Sequence, residues 1–225
     1  MQLFPVMITV LCVMEGVCSG IPEISCIETV LGTGESSIRW PFVSCEISRS
    51  QCSINELLDY ESVTGESIET TVENFKQTGR GIVGADFTVV FADAEFLDIQ
   101  IIVETLGAYP SSNVQNFLFS LTTGEEVTAG NLFLQKRLPE VVELCEYRLR
   151  GNIVRKCEED PDLLSSLEEY HFTEVWLDRV GMRSEGLVFH YDFQFPHAML
   201  AGEPEEELFF TWDELDGYLL PGIRR

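Results

Sequence analysis

Three alternating apolar runs in close succession restrict this chain to antiparallel sheet over its middle third. Phe87, Val89 and Phe91 alternate with Thr88 and Val90. Asp93-Ala94 then turns the chain into a second run, with Leu97, Ile99, Ile101 and Val103 on one face. A third run carries Phe117, Phe119 and Leu121 and ends at Thr123-Gly124. Successive side chains of a strand point to opposite faces, so each run buries one face and exposes the other. Parallel neighbours need a long crossover connection, and these connections are too short to hold one, so the segment reads as an antiparallel meander.

Further elements surround it. Residues 24–30 and 38–47 read as two strands about the turn Gly32-Thr33-Gly34. Ser53 and Glu56 have capping-box spacing, which predicts a long polar helix reaching about Lys76. Residues 131–149 predict an amphipathic helix burying Leu134, Leu138, Val141, Val142 and Cys145. Asp160-Pro161 suits the start of a second, short helix to Tyr170. A hairpin of 172–177 against 187–193 follows, then a loop and a short strand. Thr211 and Glu214 form another capping box, opening a last helix over 212–219. Strands cluster and helices cluster. The fold class is therefore α+β, an antiparallel sheet (meander plus C-terminal hairpin) with helices packed on it, in one domain over 20–225.

Charge narrows the possible partners. Thirty-eight acidic side chains face fourteen basic ones, a formal net charge of −24. Nucleic acid is excluded as a partner because phosphate neutralisation needs clustered Lys and Arg. The acidity reads either as a solubilising surface, such as salty habitats favour, or as one that attracts a cationic partner. Residues 3–14 form an apolar run too short to span a bilayer but suited to a leader, with Val17 and Ser19 placed for cleavage before Gly20. The expectation is a signal peptide over 1–19, no membrane span in the mature chain, and a secreted or periplasmic location. Five cysteines follow the leader. An oxidising compartment makes Cys145–Cys157 the best disulfide and Cys45–Cys52 a second. Cys26 is left over, or takes either partner of that second pair. No C-x-x-C spacing suggests zinc.

Catalytic patterns are sparse. His190 and Asp192 lie two apart on an expected strand and so share a face, with His197 in the loop beyond. These are the only metal or acid–base candidates, and chance spacing explains them as well. Nucleophile motifs are absent. The carboxylate runs Glu158-Glu159-Asp160 and Glu203 to Glu207 read as solvated loops, with a loose calcium site conceivable at the second. Tyr109 and Trp212 are the aromatics to consider for ligand binding, Trp212 more naturally as a core anchor. The expectation is no enzyme, no cofactor and no metal.

A wider pattern runs from about Ile38 to Leu219. It comprises Trp40-Pro41, Ile54-Asn55, the stretch Glu104 through Pro110, Phe119 through Gly124, and Asn131-Leu132-Phe133. It continues with Gly186-Leu187-Val188-Phe189, Pro196-His197-Ala198, Gly202, Trp212-Asp213-Glu214-Leu215 and Tyr218-Leu219. In order and spacing these landmarks resemble the extracytoplasmic domain family of the lysozyme-sensing anti-sigma factor RsiV. The same domain type accompanies the catalytic domain of PdaC-type peptidoglycan deacetylases. Their sigma-binding segment and their metal-binding catalytic domain have no counterpart in this sequence. The resemblance thus implies the binding module alone, and names lysozyme as a candidate cationic partner. A cell-wall or glycan-binding accessory protein is the alternative, and a peptidoglycan-modifying enzyme the third reading.

Overall fold

The computed structural model describes residues 8–10, 21–32, 36–45, 48–159, 167–193 and 207–223. Their contacts divide the chain into two compact units, Met1–Glu126 and Val127–Arg225, where the sequence reads as a single domain from residue 20. Each unit carries its own sheet, and the whole is α+β.

The first unit is built on a sheet in the order β1 (Ile8–Val10), β2 (Glu23–Val30), β3 (Ser37–Ser44), β4 (Gly81–Ala92), β5 (Phe96–Leu106), β6 (Pro110–Ser120). Of the expected leader only Ile8–Val10 is described, as the short strand paired with β2; the rest of 1–19 lies outside the described residues. The meander β4–β5–β6 is antiparallel as the alternation requires. One pair departs from that pattern. β3 and β4 run parallel and bridge at Ile38 and Ala85. The connection between them holds three helices, ample for a crossover.

Those helices correct the expectation of one long helix from Ser53. They are α1 (Ser48–Leu57), α2 (Tyr60–Thr64) and α3 (Ile68–Thr78). Ser53 lies inside α1 rather than at its start. The capping groups are Asp59, whose carboxylate accepts from the Ser62 amide at 3.1 Å, and Ser67, which accepts from the Thr70 amide at 3.2 Å. A tight set of bonds holds this layer on the sheet. Trp40 Nε1 donates to the Leu58 carbonyl at 2.5 Å, and its ring meets Tyr60 edge-on at 4.8 Å. Thr71 donates to Glu66 Oε1 at 2.8 Å, so the Tyr60 hydroxyl, 3.0 Å away, donates to Thr71. Because β4 bridges β3 only at Ile38, the far end of β3 lacks a strand partner on that side. Asn55 replaces it: its side-chain amide accepts from the Val43 amide at 2.9 Å and donates to the Val43 carbonyl at 2.8 Å. The same gap tolerates Pro41, which has no amide proton to contribute.

The second unit contains α4 (Ala129–Leu132), α5 (Leu138–Glu159) and a sheet in the order β7 (Val180–Arg183), β8 (Gly186–His190), β9 (Glu207–Thr211). Along α5 the buried apolar residues are Leu138, Val141, Cys145, Leu149 and Ile153, with Asn152 beside them, the stripe that a 3.6-residue period puts on one side. The helix begins at Leu138 and not at 131, so of the expected stripe Leu134 precedes it, and Val142 is only half-buried. α5 runs unbroken through both Cys145 and Cys157, where the sequence suggested a turn between two helices. This overturns the first disulfide. The cysteines are 157 − 145 = 12 residues apart on one helix, so they are separated by about 18 Å along its axis, beyond the roughly 7 Å a disulfide spans. Cys52 does not pair with Cys45 either, and Cys26, Cys52, Cys145 and Cys157 are free thiols. Cys45 leaves the end of β3 with its amide bonded to Gln51 Oε1 at 3.4 Å, while Cys52 is exposed on α1.

Two further expectations change in this unit, while the helix start at Asp160-Pro161 lies outside the described residues. The hairpin is formed by β7 and β8, pairing Val180 with Phe189 and Met182 with Leu187, and not by 172–177. Phe172 and Leu177 are buried, but between them Glu174–Trp176 winds into a single 3₁₀ turn. Burial at both ends of a short turn mimicked a strand. The last helix over 212–219 is likewise a run of turns. Its capping box does form, with the Thr211 amide donating to Glu214 Oε2 at 2.9 Å and the Glu214 amide to Thr211 Oγ1 at 3.3 Å. A helix of this length repays its nucleation poorly, and Gly217 and Pro221 stop it. Gly186 is fixed by packing: a Cβ there would run into the carbonyl of Phe210 on β9.

Candidate binding surface

The histidine candidates separate. His190 ends β8 with 7% of its surface exposed. Its Nδ1 lies 3.5 Å from Glu207 Oε1, and its Nε2 is buried without a hydrogen-bond partner. Burial, followed by the nearby Arg183 and Arg179 guanidiniums, pushes its pKa down to about 4. Glu207 itself is exposed and lies 3.6 Å from Arg183. The ring is therefore neutral at pH 7. Asp192 follows the strand half-buried, and His197 lies outside the described residues. Among the described residues no three of His, Cys, Asp and Glu gather closely enough to hold a metal ion. Glu203 to Glu206 and Asp160 also fall outside them, while Glu207 is the first residue of β9.

Glu146 was not singled out by sequence, yet it makes the densest polar cluster of the second unit. Oε1 accepts from Arg150 Nε at 2.7 Å and lies 2.9 Å from His171 Nδ1, and Oε2 accepts from the Phe172 amide at 2.7 Å. Desolvation pushes this carboxyl up, but the bonds from Arg150, the Phe172 amide and His171 outweigh it and hold the group below its usual range. Arg150 also donates to the Tyr170 carbonyl. Every arm of this cluster ends on the 168–172 segment or on α5, so its chemistry is that of a tether. The i, i+4 spacing of Glu146 and Arg150 was the visible signal, though such pairs are common on helices. Trp212 is a core anchor, 8% exposed with Nε1 donating to the Ser184 carbonyl at 2.9 Å. Tyr109, by contrast, is 71% exposed at the β5–β6 turn.

The charged surface of the first unit is strongly one-sided in sign. Between Arg80 and Lys136 the sequence holds no Lys, Arg or His at all. It holds Asp86, Asp93, Glu95, Asp98, Glu104, Glu125 and Glu126. Of these Glu95, Glu104, Glu125 and Glu126 are exposed, Asp98 is buried, and Asp86 pairs with Arg39 of β3 at 2.9 Å. This span is the β4–β5–β6 meander and the turn that follows it. β4, β5 and β6 thus carry acidic side chains and no cation of their own, with Arg39 of β3 paired to Asp86, and the sequence itself displays that gap. Among the described residues no helix is long and apolar enough to cross a membrane.

No protein-family model and no curated protein sequence matches the chain. Solved structures do. A DUF3298 family protein from Pseudomonas aeruginosa PAO1 superposes with a TM-score of 0.64 at 13% identity, covering 90% of this chain and 95% of that one. A member of the same family from Bacteroides fragilis NCTC 9343 gives 0.57 at 13% identity, again over 90% and 95%. At this identity the likeness establishes the fold, shared with a domain family of unknown function, and it spans both compact units.

Proposed function

We propose that this chain is a secreted or periplasmic binding module, without catalytic activity, that recognises a cationic extracellular protein, with a C-type lysozyme as the named candidate. The observation that carries the reading is the run from 81 to 135, which lacks any cation and includes all three meander strands. A field of one sign steers an oppositely charged partner to the surface and orients it, while affinity comes from a few buried anchors. The sequence resemblance to the RsiV-type domain supplies lysozyme, and the fold shared with DUF3298 proteins agrees with the general kind of domain. A binding role is also supported by the use of Glu146, Arg150 and His171 as a tether and by the burial of His190.

Calorimetric titration with a C-type lysozyme at low and high salt tests this reading, with cytochrome c as an equally basic control. Saturable binding to lysozyme alone, weakened but not abolished by salt, is the expected result. Equal, salt-erased binding to both proteins removes the specific reading and leaves a merely acidic surface.

A further inference from the structure

We propose that the outer edge of β6 is a strand-addition site for an extended segment of a partner protein bearing Lys or Arg. This rests on the binding-module reading and states how the partner is held. β6 is the last strand of its sheet. Its pairing with β5 is continuous from Phe96 opposite Ser120 to Leu106 opposite Pro110, without a bulge. In an antiparallel ladder the amide and carbonyl of successive residues point alternately to the two neighbours. Ser120 fixes the phase, because its amide turns away from β5 and donates to the Glu125 carbonyl at 3.0 Å. By alternation Ser112, Val114 and Asn116 present their amides and carbonyls to the same outer side. Among the described residues nothing pairs with those groups: the turn after β6 reaches back only to Phe119, which bridges Glu126. Pro110 falls on the outward phase as well, at the end of the strand where a missing amide does no harm.

This edge lacks the usual protection. Exposed edges are blunted by Lys, by bulges, by inward charges or by shortness. β6 is 11 residues long, and Pro-Ser-Ser-Asn-Val-Gln-Asn-Phe-Leu-Phe-Ser contains no charge. Main-chain hydrogen bonds from an added strand would supply affinity, and alternate side chains specificity. Charge decides the occupant. Glu104 of β5 stands opposite Ser112, and Glu125 follows Ser120 at the other end, both exposed. A second copy of this chain pairing at β6 would bring another cation-free meander against the first, and like charges in register are repulsive. A segment alternating Lys or Arg with apolar or hydroxyl side chains meets both the open backbone and the field.

The full chain is titrated with a fluorescent nine-residue peptide alternating Lys and Val, at about 50 and about 300 mM salt. The same peptide N-methylated at alternate amides, in each of the two phases, serves as the backbone control. Val114→Pro removes one outward amide while leaving the β5 ladder in place; thermal melting checks its fold, and the N-methylated peptides test the same bonds on the unaltered protein. The expected result is binding lost by about tenfold or more in Val114→Pro and with one N-methylation phase only, with slowed amide exchange at Ser112, Val114 and Asn116. Binding indifferent to both changes, or protection elsewhere, overturns strand addition and leaves charge attraction alone. Lysozyme binding unaffected by Val114→Pro overturns this site while the binding-module reading stands. Self-association abolished by Val114→Pro overturns the cationic occupant in favour of a second copy.

Discussion

At the scale of single residues, several side chains do work that substitution can expose. Asn55 closes the open end of β3 with two hydrogen bonds to Val43. Asn55→Ala should cost about 2 kcal/mol, since it leaves a strand amide and carbonyl without partners, and chemical denaturation measures it. Gly124 has φ 77°, and a Cβ there would stand 2.6 Å from Ser50 Cα. Gly124→Ala should therefore cost about 2 kcal/mol or more in the same assay. His190 gives the pH dependence. Its folded pKa is depressed to about 4 from 6.5, so the unfolded chain takes up a proton first as pH falls. The stability from keeping it neutral is whole above pH 6.5 and is lost between there and about pH 4, a change of about 3 kcal/mol. In His190→Phe the drop across this window should shrink; an unchanged slope would show that another group titrates. Glu146, whose pKa is lowered by its partners despite burial, adds its loss at the acidic end of the range. The Thr211–Glu214 box and Trp212 as a core anchor were legible in the sequence. Asn55 was noticed only as a landmark, because its role depends on where β4 stops pairing with β3.

At the scale of elements, the alternation of 87–121 sufficed for β4, β5 and β6, although burial does not follow it throughout: Phe96 to Ile99 are all buried in β5, and Pro110 to Val114 are all exposed in β6. β8 falls within the strand expected over 187–193, whereas β7 escaped: Val180, Gly181 and Met182 are all buried, so no alternation marks its faces. Helix continuity is not legible from composition. A polar stretch near Cys157 suggested a turn, yet α5 continues through it and carries Cys145 on its core stripe. Burial pushes the Cys145 thiol up, so it should stay unmodified by an alkylating reagent until the protein unfolds. Cys52, exposed, should label readily in the native state. Protection of Cys52 that a reductant removes would reinstate the Cys45–Cys52 disulfide.

At the scale of the whole molecule, charge acts twice. With a net charge of −24, self-repulsion opposes compactness, and salt relieves it. Raising salt from about 10 to about 150 mM should therefore raise the melting temperature of the free chain. The same screening should weaken its complex with a cationic protein. Opposite responses to one variable separate surface chemistry from core packing; a complex indifferent to salt would contradict the proposed role of the acidic sheet.

By itself the sequence determined the α+β class, the meander and its antiparallel sense, the core positions Leu138, Val141 and Cys145 of α5 and the sign of the surface. Each of these follows from local periodicity or from counting, and none needs a distant residue. Tertiary structure alone decided the parallel β3–β4 pair, the division of one long helix into three, the burial of His190 and the separation of Cys145 from Cys157 along one helix. It also decided that β6 ends its sheet with one side of its backbone open. Those outcomes depend on which segments meet in space, and a pairing partner far along the chain leaves no periodic trace in the residues it selects.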